Sequence, residues 1–242
     1  MGLVACETDV ARSGDGPVLR AFVDLGFPCN LCCPTCSRPR TVSVARGTAG
    51  ALAAHLAEAV EASEARRVAA VWYGGEPLLD LDGLARASSQ VRAACARRGA
   101  RYEGFTVTNG TLLDDRAAVT LAAAGIVRAQ VTLAGPQPVH DLRRPLLGAG
   151  SFRLILRNLR AARNRIALVI RFDLPNGNGL STVTDLVRLL EENGLFEEPH
   201  PATVILGRPG SYAGQARALL DFGLPAPVVS FPSRSPDPMP AG

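Results

Sequence analysis

Strand-patterned and helix-patterned segments alternate from Val18 to Leu206, and this alternation predicts an α/β fold built of parallel βαβ units. Roughly six such units are present, short of the eight that close a full barrel, so the predicted architecture is an open (βα)6 partial TIM barrel. The composition agrees. With 47% hydrophobic and 20% charged residues, the 242-residue chain can bury a sizeable core, and its length defaults to one domain. In such folds the active residues belong at the C-terminal ends of the strands.

Taken in order, residues 1–17 contain Gly, Ser and Asp and read as a loose N-terminal segment. Val18 to Leu25 is a mostly apolar run closed by Gly26-Phe27-Pro28, the pattern of a buried strand. Gly47 to Glu64 is Ala-rich, with Leu52, Leu56 and Val60 at helical spacing. Val68 to Tyr73 is the second strand, Leu84 to Arg98 a helix, and Phe105 to Val107 the third strand. Asp114 to Ala124 is a helix, Ala129 to Leu133 the fourth strand, and Phe152 to Arg163 an Arg-rich helix. Ile166 to Phe172 is a fifth strand, Thr182 to Glu192 a helix with Leu186, Leu189 and Leu190 inside, and Ala202 to Leu206 a sixth strand. The core domain is expected over 18–210. Residues 211–242 form a short extension that ends Pro-rich, a composition that favours disorder.

Charge and composition exclude several classes. All 26 basic residues are Arg, so Schiff-base catalysis through a lysine is absent. A net charge of +4, with Arg spread over the helices, does not predict a nucleic-acid partner. No apolar run is long enough to span a bilayer, and none precedes the lipoprotein-like Leu3-Val4-Ala5-Cys6. The expectation is no membrane association and a cytoplasmic location, where thiols stay reduced.

Four of the six cysteines fall within Cys29-Asn30-Leu31-Cys32-Cys33-Pro34-Thr35-Cys36. Three fit the spacing Cys29-x3-Cys33-x2-Cys36, and a competing register is Cys29-x2-Cys32-x3-Cys36. Iron–sulfur clusters take soft thiolate ligands, and a short loop delivers several at little entropic cost. Three thiolates on a [4Fe–4S] cluster leave one iron open. Zinc asks for a fourth ligand nearby, yet the nearest histidine is His55; disulfides suit short secreted domains.

The first register, following a strand, resembles the signature of radical S-adenosylmethionine (radical SAM) enzymes. That resemblance implies a [4Fe–4S] cluster held by Cys29, Cys33 and Cys36, with S-adenosyl-L-methionine on the open iron and reductive cleavage to a 5′-deoxyadenosyl radical. Thr35 departs from the aromatic residue usual there. Tyr73-Gly74-Gly75-Glu76-Pro77 resembles the family's GGEP motif, which assigns Gly74, Gly75 and Glu76 to the cosubstrate. Thr108-Asn109-Gly110-Thr111-Leu112-Leu113 resembles the TNGTLL stretch of the peptide- and protein-modifying branch and brings Asn109 to the site. Thr132-Leu133-Ala134-Gly135-Pro136 stands where that branch has Ser-Leu-Asp-Gly-Pro; Thr132 keeps a hydroxyl for the cosubstrate, and Ala134 loses the acid. His140-Asp141-x-x-Arg144-Pro145 tracks the same branch. His140 reads equally as a helix-capping or surface histidine, and Arg144 as a substrate contact or a partner of Asp141. Arg171, ending the fifth strand, suits the cosubstrate carboxylate. Asp24, Asp141 and Glu103 are candidate acids or bases among which nothing selects.

The closest branch by resemblance is the SPASM/twitch group of sulfatase and peptide maturases. Its C-terminal auxiliary-cluster cysteines have no counterpart after Cys95, so one catalytic cluster is expected. The implied activity is hydrogen abstraction from a peptide or protein substrate. An electron donor such as flavodoxin or ferredoxin, and a separate leader-binding or partner subunit, are the expected partners. Alternatives are the same initiation on a small metabolite, or a truncated non-catalytic paralog that binds a partner.

Overall fold

A computed structural model describes residues 5–13, 16–26, 28–34, 36, 47–146, 148–173 and 180–207. Its centre is one sheet of seven strands in the order β1-β2-β3-β4-β5-β6-β7, with each strand beside its sequence neighbour. The strands are β1 (Ala5–Ser13), β2 (Gly16–Asp24), β3 (Arg67–Tyr73), β4 (Arg101–Thr108), β5 (Ile126–Leu133), β6 (Ala167–Asp173) and β7 (Thr203–Gly207). β2 to β7 run parallel, the six strands expected, and the sheet is open.

Helices α1 (Thr48–Ala62), α2 (Leu81–Arg97), α3 (Asp115–Ala123), α4 (Gln137–Arg143), α5 (Phe152–Ala162) and α6 (Leu180–Glu192) fill the connections. Each parallel pair needs such a crossover. The helices start where the sequence supplies caps. Asp80 accepts from the Gly83 amide at 3.0 Å before α2, and Asp114 from the Ala117 amide at 2.8 Å before α3. α1 buries Ala49, Ala53, Leu56 and Val60, one stripe at helical spacing.

Strand alternation sorts the core into two layers. Leu19, Ala21 and Val23 of β2 and Val68, Ala70 and Trp72 of β3 join the helix stripes in the larger core. The opposite row, Val18, Phe22, Val71, Tyr73, Phe105, Val107, Val169 and Ile205, lines the concave face of the sheet. Both faces of the central strands are therefore buried, as parallel sheets require.

Four elements differ from expectation. Within the segment read as loose, Ala5–Ser13 forms β1, antiparallel to β2, with Asp9 paired to Arg20 at 2.6 Å. β4 begins well before Phe105, because Glu103 there pairs with Arg67 at 3.3 Å and Arg101 at 3.0 Å. A 3-10 turn (Pro77–Asp80) and α4 lacked any apolar periodicity to announce them. Among the described residues no helix is long and apolar enough to cross a membrane. Thr35, Arg38, Arg40, Arg46 and the 211–242 extension lie outside the described residues.

Candidate functional site

The loops that leave the C-terminal ends of β2, β3, β4 and β5 meet at one end of the sheet, and Glu76 links the first three. Its side chain is fully buried. One carboxylate oxygen accepts from the Leu78 amide at 3.0 Å and the Thr108 hydroxyl at 2.7 Å; the other accepts from the Asn109 amide at 2.7 Å. Its own amide donates to Pro28 O at 2.9 Å. The carboxylate thus ties the β3 turn to the β4 turn, and the Glu76 amide ties both to the start of the cysteine loop. Burial pushes its pKa above the usual carboxylate range, against the three hydrogen bonds and the more distant Arg144 charge. Gly74 precedes it at φ +107°, where a Cβ would overlap Asp24 Oδ1. Only glycine lets the β3 turn lie this close to the end of β2. Gly75 follows, also at positive φ.

Asn109 continues the network. Its Oδ1 accepts from the Thr111 amide at 2.9 Å and from the Thr111 hydroxyl at 2.6 Å. Its Nδ2 donates to Asn30 Oδ1 at 2.8 Å, and Asn30 Nδ2 donates to Thr111 Oγ1 at 2.9 Å, which closes a ring. Asn109 Nδ2 also reaches Cys29 Sγ at 3.6 Å, as does the Leu31 amide at 3.5 Å. Both are sulfur-range hydrogen bonds of the kind that stabilise a thiolate. Asn158 of α5 braces the β4 turn by donating to the carbonyls of Gly110 at 3.0 Å and Thr111 at 2.8 Å.

The cysteine loop carries four partly buried cysteines outside any disulfide: Cys29, Cys32, Cys33 and Cys36. The Cys36 amide turns back to Cys33 O at 3.2 Å, and the Cys32 amide donates to Pro145 O at 2.9 Å. Burial pushes the Cys29 and Cys33 thiols up; at Cys33 the nearby Arg144 charge is the largest opposing influence. Among the described residues no three His, Cys, Asp or Glu side chains are gathered around the position of a single metal ion. A [4Fe–4S] cluster asks for something else, since each thiolate binds a different iron and the sulfurs need not converge on one point. A short loop of soft thiols, with amide donors aimed at one of them, fits that group.

Thr132 and Arg171 are cross-strand neighbours on β5 and β6, both buried, on the concave face. The structure therefore joins Glu76, Asn109 and the thiol loop through direct hydrogen bonds, carries Gly74 and Gly75 on the turn that Glu76 ends, and sets Thr132 beside Arg171 in the adjoining strands.

His140 is neither a surface nor a capping residue. It is fully buried. Its Nδ1 accepts from the Ala134 amide at 3.1 Å, so the proton sits on Nε2, which donates to Ser151 Oγ at 3.0 Å; Ser151 then donates to Arg144 O at 2.6 Å. Phe152 packs on the ring edge-to-face. Position 134 thus serves the site through its backbone. Burial, and then the Arg144 charge, pull the His140 pKa down from 6.5 to about 4. The unfolded chain takes up a proton between those values and the folded chain does not. The His140 contribution is complete above pH 6.5 and is lost as pH falls toward 4, on the order of 3 kcal/mol. Urea unfolding of wild type and His140→Gln at pH 7.5 and pH 4.5 checks this: the stability gap between them narrows at the lower pH. A gap that does not change with pH contradicts a buried neutral histidine.

The candidate acids take structural places. Asp24 Oδ1 accepts from the Gly26 amide at 2.9 Å, Asp141 accepts from the Phe152 amide at 2.8 Å, and Glu103 pairs with arginines toward the N-terminal end of the sheet. No separate role is read from the sequence for Asn30 or Thr108, whereas Gly150-Ser151-Phe152 and Asn158-Leu159 resemble stretches of the same branch. Asn158 carries a readable signal, a polar residue in the buried stripe Ile155, Asn158, Leu159, Ala162 of α5.

Comparison with known proteins agrees with this geometry. The family model described as the radical SAM superfamily matches residues 25–190, more than half of the chain. No curated protein matches. Among solved structures the chain is similar to native anSMEcpe with bound AdoMet and Kp18Cys peptide, at 18% identity and TM-score 0.62 over 79% of this chain and 51% of that one. It is similar also to native anSMEcpe with bound AdoMet, at 17% identity and TM-score 0.59 over 79% of this chain and 54% of that one. At this identity the likeness concerns the fold, and the chain spans about half the length of those structures.

Proposed function

This chain belongs to the radical SAM superfamily, and on that premise we propose that it is a peptide maturase-like enzyme acting on a peptide or protein substrate. The family implies a [4Fe–4S] cluster and S-adenosylmethionine as cofactors. The observation that carries the reading is the hydrogen-bonded union of the thiol loop, the Gly74-Gly75-Glu76 turn and the Asn109 turn at the C-terminal strand ends. Held by Cys29, Cys33 and Cys36, a reduced cluster would supply the electron for cleavage of S-adenosylmethionine and so the radical chemistry of hydrogen abstraction from the substrate.

The chain's own residues would do the rest. Cys29, Cys33 and Cys36 hold the cluster, and the amides of Asn109 and Leu31 offset charge on the Cys29 sulfur. Gly74 and Gly75 present backbone to the cosubstrate, while the Glu76 side chain fixes that turn from behind. Asn109 orients the β4 turn over the same ligand. The Thr132 hydroxyl and the Arg171 guanidinium meet its polar groups, the guanidinium suiting a carboxylate. The apolar concave row from Phe22 to Val107 keeps water from the radical. The SPASM/twitch branch, a flavodoxin or ferredoxin donor and a separate leader-binding subunit belong to the same reading. The peptide in the similar anSMEcpe structure supports a peptide substrate.

Deuterium transfer tests it. Loaded, reduced protein is given S-adenosylmethionine with either a pool of deuterated peptides or a deuterated, protein-free cell extract. Deuterium in 5′-deoxyadenosine from the peptide pool is the expected result. Transfer from the extract alone overturns the peptide reading in favour of a small metabolite.

A further inference from the structure

The cysteine loop is zipped to the segment that follows α4. Leu31 and Leu146 form an antiparallel bridge, and between them the Cys32 amide donates to Pro145 O at 2.9 Å. Cys33 and Arg144 adjoin the two residues of that bond, one on each segment. Arg144 is fixed from its other side as well: its amide donates to His140 O at 2.7 Å, and its carbonyl accepts from Ser151 Oγ at 2.6 Å. Its guanidinium Nε is buried and has no hydrogen-bond partner among the described residues. A buried donor left unpaired costs free energy that the fold recovers only when an acceptor arrives.

We propose that Arg144 sets the reduction potential of the cluster held by Cys29, Cys33 and Cys36, acting as a fixed cation beside Cys33. The inference rests on the cluster assignment above. Burial first, and then the Arg144 charge, hold the neighbouring His140 neutral, so the arginine supplies the positive charge here rather than the histidine. Three thiolates and a cluster core carry net negative charge, which grows by one on reduction. A cation alongside therefore favours the reduced form. Arg144 is on this account a positioning residue, which adjusts how readily the cluster accepts an electron.

The test is an anaerobic redox titration of the reconstituted protein, followed by the paramagnetic signal of the reduced cluster, with iron and sulfide content measured in each sample. Wild type, Arg144→Gln, Arg144→Met and Arg144→Lys are compared. Both neutral variants are expected to load iron as wild type does, with the reduced-to-oxidised ratio at fixed potential falling about tenfold, which for a one-electron couple is a shift of about 59 mV to more negative potential. Arg144→Lys is expected to keep most of the wild-type ratio. Neutral variants that titrate with wild type overturn the proposal, as does a lysine variant that falls as far as glutamine. Neutral variants that cannot load a cluster overturn it too, since Arg144 then merely builds the loop. A wild-type protein that holds no cluster is a different failure, that of the functional reading itself.

Discussion

Cys33→Ala loses the iron–sulfur cluster, whereas Cys32→Ala keeps it. The two thiols are sequence neighbours, and the two possible registers differ only in which of them binds. The structure separates their surroundings. The Arg144 charge favours a thiolate at Cys33, and the Cys33 carbonyl closes the turn to Cys36. Cys32 anchors the loop through its amide, which donates to Pro145 and needs no sulfur. Removing a ligand costs more than the roughly 10–100-fold that removal of an outer-shell partner costs. Iron and sulfide analysis after anaerobic reconstitution, with the visible absorption of the cluster, reads the outcome. Stoichiometric loading of Cys33→Ala with loss in Cys32→Ala would establish the other register.

Glu76→Leu destabilises the protein by about 3–5 kcal/mol, because it strands three buried donors at once. Those donors are the Leu78 amide, the Thr108 hydroxyl and the Asn109 amide. Each lacks another route to water, since Glu76, Leu78, Thr108 and Asn109 are all buried. Leucine fills the volume but accepts nothing. Glu76→Gln retains one acceptor oxygen and points an amide at donors, so it falls between wild type and leucine. Urea denaturation orders the three. If Glu76→Leu unfolds at the wild-type midpoint, the carboxylate does not organise the strand ends.

Much of this arrangement is legible from the residues because the central strands are apolar on both faces. Val68 to Tyr73 and Ile166 to Phe172 have no other good reading, and β3 and β6 follow them closely. β1 is hidden for the opposite reason. Its residues Cys6-Glu7-Thr8-Asp9-Val10 alternate weakly, and the strand is held by pairing with β2 instead of by its own burial. α4 opens on Pro136-Gln137-Pro138, a turn-like start that conceals a helix. At the site, the residue types were readable and the partnerships were not. Nothing local in the sequence joins Glu76 to Thr108 or Asn30 to Thr111, because those bonds form only when the sheet aligns the strand ends. His140 shows the same limit. Its role depends on the backbone of Ala134, a residue whose side chain offers no hydrogen bond.

The central claim is that this chain initiates radical chemistry on S-adenosylmethionine at a cluster held by its cysteine loop. The most direct measurement is chromatography for 5′-deoxyadenosine after anaerobic reconstitution with iron and sulfide, reduction by dithionite and addition of S-adenosylmethionine. The account predicts 5′-deoxyadenosine from wild type and none from Cys33→Ala. A wild-type sample with an intact cluster and no 5′-deoxyadenosine would contradict it and leave a protein that binds without turning over.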